Sequence, residues 1–69
     1  MAPQDHVTSG GTNYLIFGFP SSGVHLWKLI FRDGEQLSKG DFMALPALQR
    51  EQLLEAVVAY LERLNKAAV

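Results

Sequence analysis

The chain contains no cysteine, so neither a disulfide nor a thiolate metal site can staple it. It has only two histidines, His6 and His25, far apart and without obvious co-ligands, so no cofactor or metal is expected. Cations are also scarce: six Lys and Arg stand against seven Asp and Glu, a formal net charge of −1. That balance argues against strong non-specific nucleic-acid binding, which rests on neutralising phosphates, though a local basic face remains open. Apolar runs are short. The longest, "YLIFGF", cannot span a bilayer, and "MAPQDHVTSG" has neither the basic start nor the apolar centre of a signal peptide. These features together predict a cytoplasmic protein with no membrane partner.

Enzyme signatures are missing as well. There is no Gly-rich phosphate loop, no His-Glu-x-x-His, no Cys nucleophile and no Gly-x-Ser-x-Gly elbow. Ser21, Ser22 and His25 lie close enough to be drawn as nucleophile and base. They read better as turn residues beside a strand, because no third group is spaced to orient the histidine. Asp33 and Glu35 could be drawn as an acid/base or metal pair and read better as a solvated hairpin tip. The expectation is a non-enzymatic protein.

With 69 residues the chain is one domain at most. A domain this small buries only about 60% of the surface its unfolded chain exposes. Having no disulfide or metal, it is expected to gain support from a partner subunit. Residues 1–12 are polar, carry Pro3, Gly10 and Gly11, and read as a flexible N-terminal arm. Residues 13–69 form the folded domain.

Apolar residues, 48% of the chain, concentrate in 14–31 and 42–64. "NYLIFGFP" reads as a strand from Tyr14 to Phe19, and "PSSG" supplies turn chemistry. A second strand runs from Val24 to Arg32. Asp33-Gly34 then signals a tight hairpin, because both residues accept positive φ. A third strand starts at Glu35 and is interrupted at Lys39-Gly40, where glycine suggests a bulge. "FMAL" resumes pairing or forms a short turn. From Pro46 onward, Leu53, Leu54, Val57, Tyr60, Leu61 and Leu64 recur at helical spacing. Pro46 suits the first helical position, and early Glu51 with late Arg63 and Lys66 suit the dipole. The expected fold is α+β: a three-stranded antiparallel meander followed by one long C-terminal helix, β-β-β-α, as a homodimer.

The strand "VHLWKLIFR" is apolar on both faces. His25, Trp27, Leu29 and Phe31 are assigned to the core with Leu15, Phe17 and Phe19. Leu26, Lys28, Ile30 and Arg32 then form a spare face, which Tyr14 and Ile16 extend. Three uses of that face compete. The first is a dimer interface, with the Lys28 and Arg32 stems lying on apolar surface. The second is a groove for single-stranded nucleic acid, with Lys39 added at the bend. The third is a patch for another protein.

Residues 25–57, "HLWKLIFRDGEQLSKGDFMALPALQREQLLEAV", resemble the C-terminal part of the transcriptional positive-cofactor proteins, small dimers that bind single-stranded DNA. The matching elements are Lys28 in a strand, the Asp33-Gly34 turn, Lys39-Gly40, the apolar Phe42, Ala44 and Leu45, and Pro46 opening a helix. Asp41 interrupts the pattern, and the strand carries fewer cations than the family's. The resemblance implies Lys28, Arg32 and Lys39 as DNA-backbone contacts. The leading expectation is a homodimeric protein-interaction or regulatory accessory protein. Single-stranded nucleic-acid binding is the alternative.

Overall fold

The structure, a computed structural model, describes residues 4–20 and 25–67. A four-stranded antiparallel sheet in the order β1-β2-β3-β4 is built from Gln4–Ser9, Thr12–Phe17, Ile30–Arg32 and Glu35–Gln36. Two helices follow: α1, Lys39–Ala44, and α2, Ala47–Ala67. The class is α+β with a long C-terminal helix, but the sheet has four strands, not three.

The extra strand comes from the segment read as a flexible arm. Gln4 to Ser9 pairs residue for residue with β2, from Gln4 opposite Phe17 to Ser9 opposite Thr12. The connection is Gly10-Gly11, with φ of 58° and 79°. Two consecutive positive-φ residues make the primed turn that matches strand twist, and Gly-Gly adopts it without strain. Side chains on one face of β1 also tie it to α2. The buried Ser9 hydroxyl donates to Gln52 Oε1 at 2.7 Å, and Asp5 pairs with Arg63. The polar residues that suggested disorder are therefore ligands of the helix.

The expected strand from Val24 to Arg32 is mostly a different structure. Val24 lies outside the described residues, and Leu26–Leu29 form a 3-10 turn. Only Ile30–Arg32 pairs in the sheet, with Ile30 opposite Ile16 and Phe31 opposite Leu15. The 3-10 turn breaks the alternation, so the consecutive Leu29 and Ile30 are both buried. The two-faced assignment made across this segment inverts at Ile30 and Phe31, but holds at Leu29, which is buried as expected, and at Lys28, which is exposed. Tyr14, Ile16 and Ile30 face α2 and pack with Leu53, Val57 and Tyr60, while Leu15, Phe17 and Phe31 lie on the opposite face. Each aliphatic side chain buried in this layer contributes about 1.5–3 kcal/mol.

The Asp33-Gly34 turn forms as expected, with φ of 54° and 80°. No bulge follows at Lys39-Gly40. Ser38 is instead the N-cap of α1, its hydroxyl accepting from the Asp41 amide at 3.1 Å. Asp41 in the first turn adds a favourable charge at that end. Phe42 anchors α1 in the core. α2 starts one residue later than expected: the Pro46 carbonyl accepts from the Arg50 amide at 3.1 Å, and Ala47 is the first helical residue. Lys66 lies in the last turn, where a cation suits the dipole.

Candidate functional site

With α2 covering one side of the sheet, no described element covers the other. The antiparallel register sets its residues directly. His6, Leu15, Phe31 and Gln36 form a row across all four strands. Phe17 and Gln4 pair in the row on one side, Asn13 and Thr8 in the row on the other. At the centre Phe17 and Phe31 meet edge to face, ring centroids 6.0 Å apart and planes at 80°. Phe17 keeps 38% of its surface exposed, and Leu15 and Phe31 are half-buried. Around them stand neutral polar side chains; the Thr8 hydroxyl donates to Asn13 Oδ1 at 2.8 Å. The face is an apolar centre inside a polar rim, with no Asp, Glu, Lys or Arg among its residues.

The residues expected to bind do not share a surface. Tyr14, Ile16 and Ile30 are brought together in the monomer's core, at 2%, 0% and 0% exposure, and cannot line an interface. Leu26 is half-buried in the 3-10 turn, packed against that core. Lys28 is exposed in the same turn, its backbone carbonyl accepting from Gln36 Nε2 at 2.6 Å. Arg32 stands 3.8 Å from Asp41, and Lys39 is the exposed first residue of α1. Of the residues assigned to the core, Leu29 is buried and Trp27 packs against the core cluster, whereas Leu15, Phe17 and Phe31 lie on the open face and Phe19 is 67% exposed. Both candidate faces are apolar, and alternation alone does not rank them. One usable signal was Gly10-Gly11 between "QDHVTS" and "TNYLIF", which marks a hairpin and would have added β1.

A second aromatic group lies in and beside the 3-10 turn. The exposed His25 stacks on Trp27 at 4.3 Å and 6°, and Trp27 stacks on the buried Phe42 at 6.1 Å and 22°. Ser21 and Ser22, the partners drawn for His25 as a nucleophile, lie outside the described residues. Asp33 and Glu35 are exposed at the hairpin tip. Among the described residues no cluster of three or more His, Asp or Glu could hold a metal, and no helix is long and apolar enough to cross a membrane.

One titratable group is displaced. Burial pushes the Tyr60 phenol above its usual value, and the phenol donates a hydrogen bond to the Gly18 carbonyl. That bond joins α2 to the end of β2, so the displaced group belongs to the core and not to the open face.

Comparison with protein-family models, curated proteins and solved structures returns no match to this chain.

Proposed function

We propose that the chain is a non-enzymatic protein-interaction module that works as a homodimer, the open sheet face of one copy closing on that of another. The observation that carries this reading is the Leu15, Phe17, Phe31 cluster, uncovered by any described element and with no Asp, Glu, Lys or Arg in its rows. A two-fold interface sets a patch against itself, so a patch bearing charge of one sign would repel its own copy. The rows of this face hold no Asp, Glu, Lys or Arg, and His6 is their one ionisable side chain. Its apolar centre and polar rim follow the anatomy of protein interfaces. Sedimentation velocity on the wild type and on Phe17→Asp tests it. The wild type is expected to sediment as a dimer and the variant as a folded monomer; a wild-type monomer at high concentration would remove the reading.

A second reading, single-stranded nucleic-acid binding as in the positive-cofactor family, keeps one observation in its favour. The exposed His25 stacks on the half-buried Trp27 beside the exposed Lys28, and stacking aromatics with cations are what such sites use. Supply of charge is against it. Arg63 pairs with Asp5, Arg32 lies against Asp41, and Arg50 Nη1 donates to the Met43 carbonyl at 3.1 Å.

A further inference from the structure

α2 carries more apolar surface than its own core uses. The stripe that meets the sheet contains Leu53, Val57 and Tyr60, all buried. A second stripe, Leu54, Val58 and Leu61, follows the same i, i+4, i+7 spacing about a quarter-turn round the helix; Leu54 and Leu61 are half-buried at the edge of the core, and Val58 stands outside it. Val58 is 46% exposed. With Ala59, Glu55 and Glu62, Leu54 and Val58 form a shallow groove of about 390 Å³ on the outer side of α2. A separate depression is lined by Leu61, Leu64 and Phe19, which is 67% exposed.

The charges along this groove select its occupant. Glu55 and Glu62 line it two turns apart, roughly 10 Å along the axis. Neither carboxylate is in an ion pair among the described residues. Arg63, their neighbour on the helix, is turned to Asp5 on the sheet. An acidic border on an apolar floor disfavours a second copy of the chain. Antiparallel self-pairing centred between Val58 and Ala59 sets Glu55 of one copy against Glu62 of the other. Parallel pairing sets each glutamate against itself. Like charges so placed destabilise.

From the geometry we infer that the α2 groove docks a basic amphipathic helix of a partner protein. That helix seats apolar residues at i, i+4 and i+7 on Leu54, Val58 and Leu61, and its Lys or Arg side chains pair with Glu55 and Glu62. The inference rests on the reading of the chain as a protein-interaction module and names the partner's chemistry. It uses a surface separate from the open sheet face, so the two fail separately.

The test uses the full chain and a fluorescently labelled synthetic peptide of about eighteen residues, with Leu at i, i+4 and i+7 and flanking Lys. Saturable binding is expected by anisotropy, weakening as salt rises to about 0.5 M. Val58→Asp is expected to weaken it by about tenfold or more. Glu55→Lys with Glu62→Lys is expected to switch preference to the matching peptide with flanking Glu. Thermal melts of each variant check folding, and amide shifts locate the bound peptide. Three outcomes would overturn the inference: no binding at low salt, equal binding of a sequence-scrambled basic peptide, or shifts confined to the sheet face. A fourth would reassign the groove to a second copy: loss of the dimer in Val58→Asp while Phe17→Asp stays dimeric.

Discussion

Phe17 and Phe31 meet edge to face on adjacent strands, 6.0 Å apart, on the side of the sheet that no described element covers. In a monomer that contact contributes about 0.5–1.5 kcal/mol beyond area burial. On an exposed face it also builds a stiff, preorganised apolar patch, because each ring restricts the other. The relationship therefore bears on two links at once: sheet stability and, in the proposed homodimer, association.

The first prediction separates those links. Phe17 is more than one-third exposed, so Phe17→Asp loses the ring contact and part of its burial and costs about 1–3 kcal/mol of monomer stability. Placed at a two-fold interface, the same carboxylate meets its own copy. Sedimentation should show the dimer lost, while circular dichroism shows the monomer still folded with a lowered urea midpoint. A dimer that survives Phe17→Asp would put the interface elsewhere.

Ile30 tests the inverted face assignment. Read from the sequence, Ile30→Asp should leave a folded chain and Trp27→Ala should unfold it. The structure reverses both. Ile30 is fully buried opposite Ile16, and an unpaired carboxylate there costs more than a domain of this size has in reserve. Trp27 is half-buried, held between the exposed His25 and the buried Phe42, and truncating it costs about 1–3 kcal/mol. Circular dichroism should show Ile30→Asp unfolded and Trp27→Ala folded with a lowered melting temperature.

The reversal shows what was legible and what was not. The long helix could be read because Leu53, Val57 and Tyr60 repeat at its period, and that period needs no tertiary information. The Asp33-Gly34 turn could be read because φ > 0 is a local demand. The sheet's inner face was not legible, because residues 24–32 are apolar on both sides and the 3-10 turn at Leu26–Leu29 shifts the parity midway. β1 was hidden for another reason. Asp5 and Ser9 look like solvent-loving residues until their partners Arg63 and Gln52, more than 40 positions away, are in place. Of the expected binding residues, Tyr14, Ile16 and Ile30 fell on the wrong side of that parity shift.

Ser9 gives a direct test of the N-terminal strand. It is a buried polar residue, 3% exposed, and it holds Gln52 at 2.7 Å. Ser9→Ala should cost about 1 kcal/mol, the net worth of a hydrogen bond whose acceptor can turn to water. Arg63→Ala should cost less, because that side chain is more than half exposed and exposed ion pairs contribute about 0–1 kcal/mol. Amide hydrogen exchange should show β1 protected in the wild type. If the amides of residues 4–9 exchange at unfolded rates, the strand is not part of the stable sheet.

Tyr60 sets an alkaline limit on stability. Its phenol titrates above the ordinary tyrosine value in the folded chain because burial disfavours phenolate. The folded state thus holds this proton more tightly than the unfolded state does. The associated stability is complete below the unfolded value of about 10 and is lost as pH rises through the folded value. Urea midpoints should stay flat from neutral pH to about pH 9.5 and then fall. Tyr60→Phe should remove that part of the alkaline fall. It should also cost about 1 kcal/mol at neutral pH, since the Gly18 carbonyl loses its donor.

The last prediction concerns single-stranded DNA. Among the described residues three lysines, Lys28, Lys39 and Lys66, are exposed, on three different elements. The arginines are engaged with Asp41, Met43 and Asp5. If every one of those lysines neutralised a phosphate, the log-log salt slope for a single strand would reach only about −2. A short oligonucleotide followed by Trp27 fluorescence should therefore give weak binding that does not saturate at micromolar protein. Saturable binding with a steeper slope, lost in Lys28→Ala and accompanied by quenching of Trp27, would show that the His25–Trp27 stack is a base platform. In that case the protein-interaction reading would have to yield to the nucleic-acid one, because so steep a slope needs cations drawn out of their present pairs.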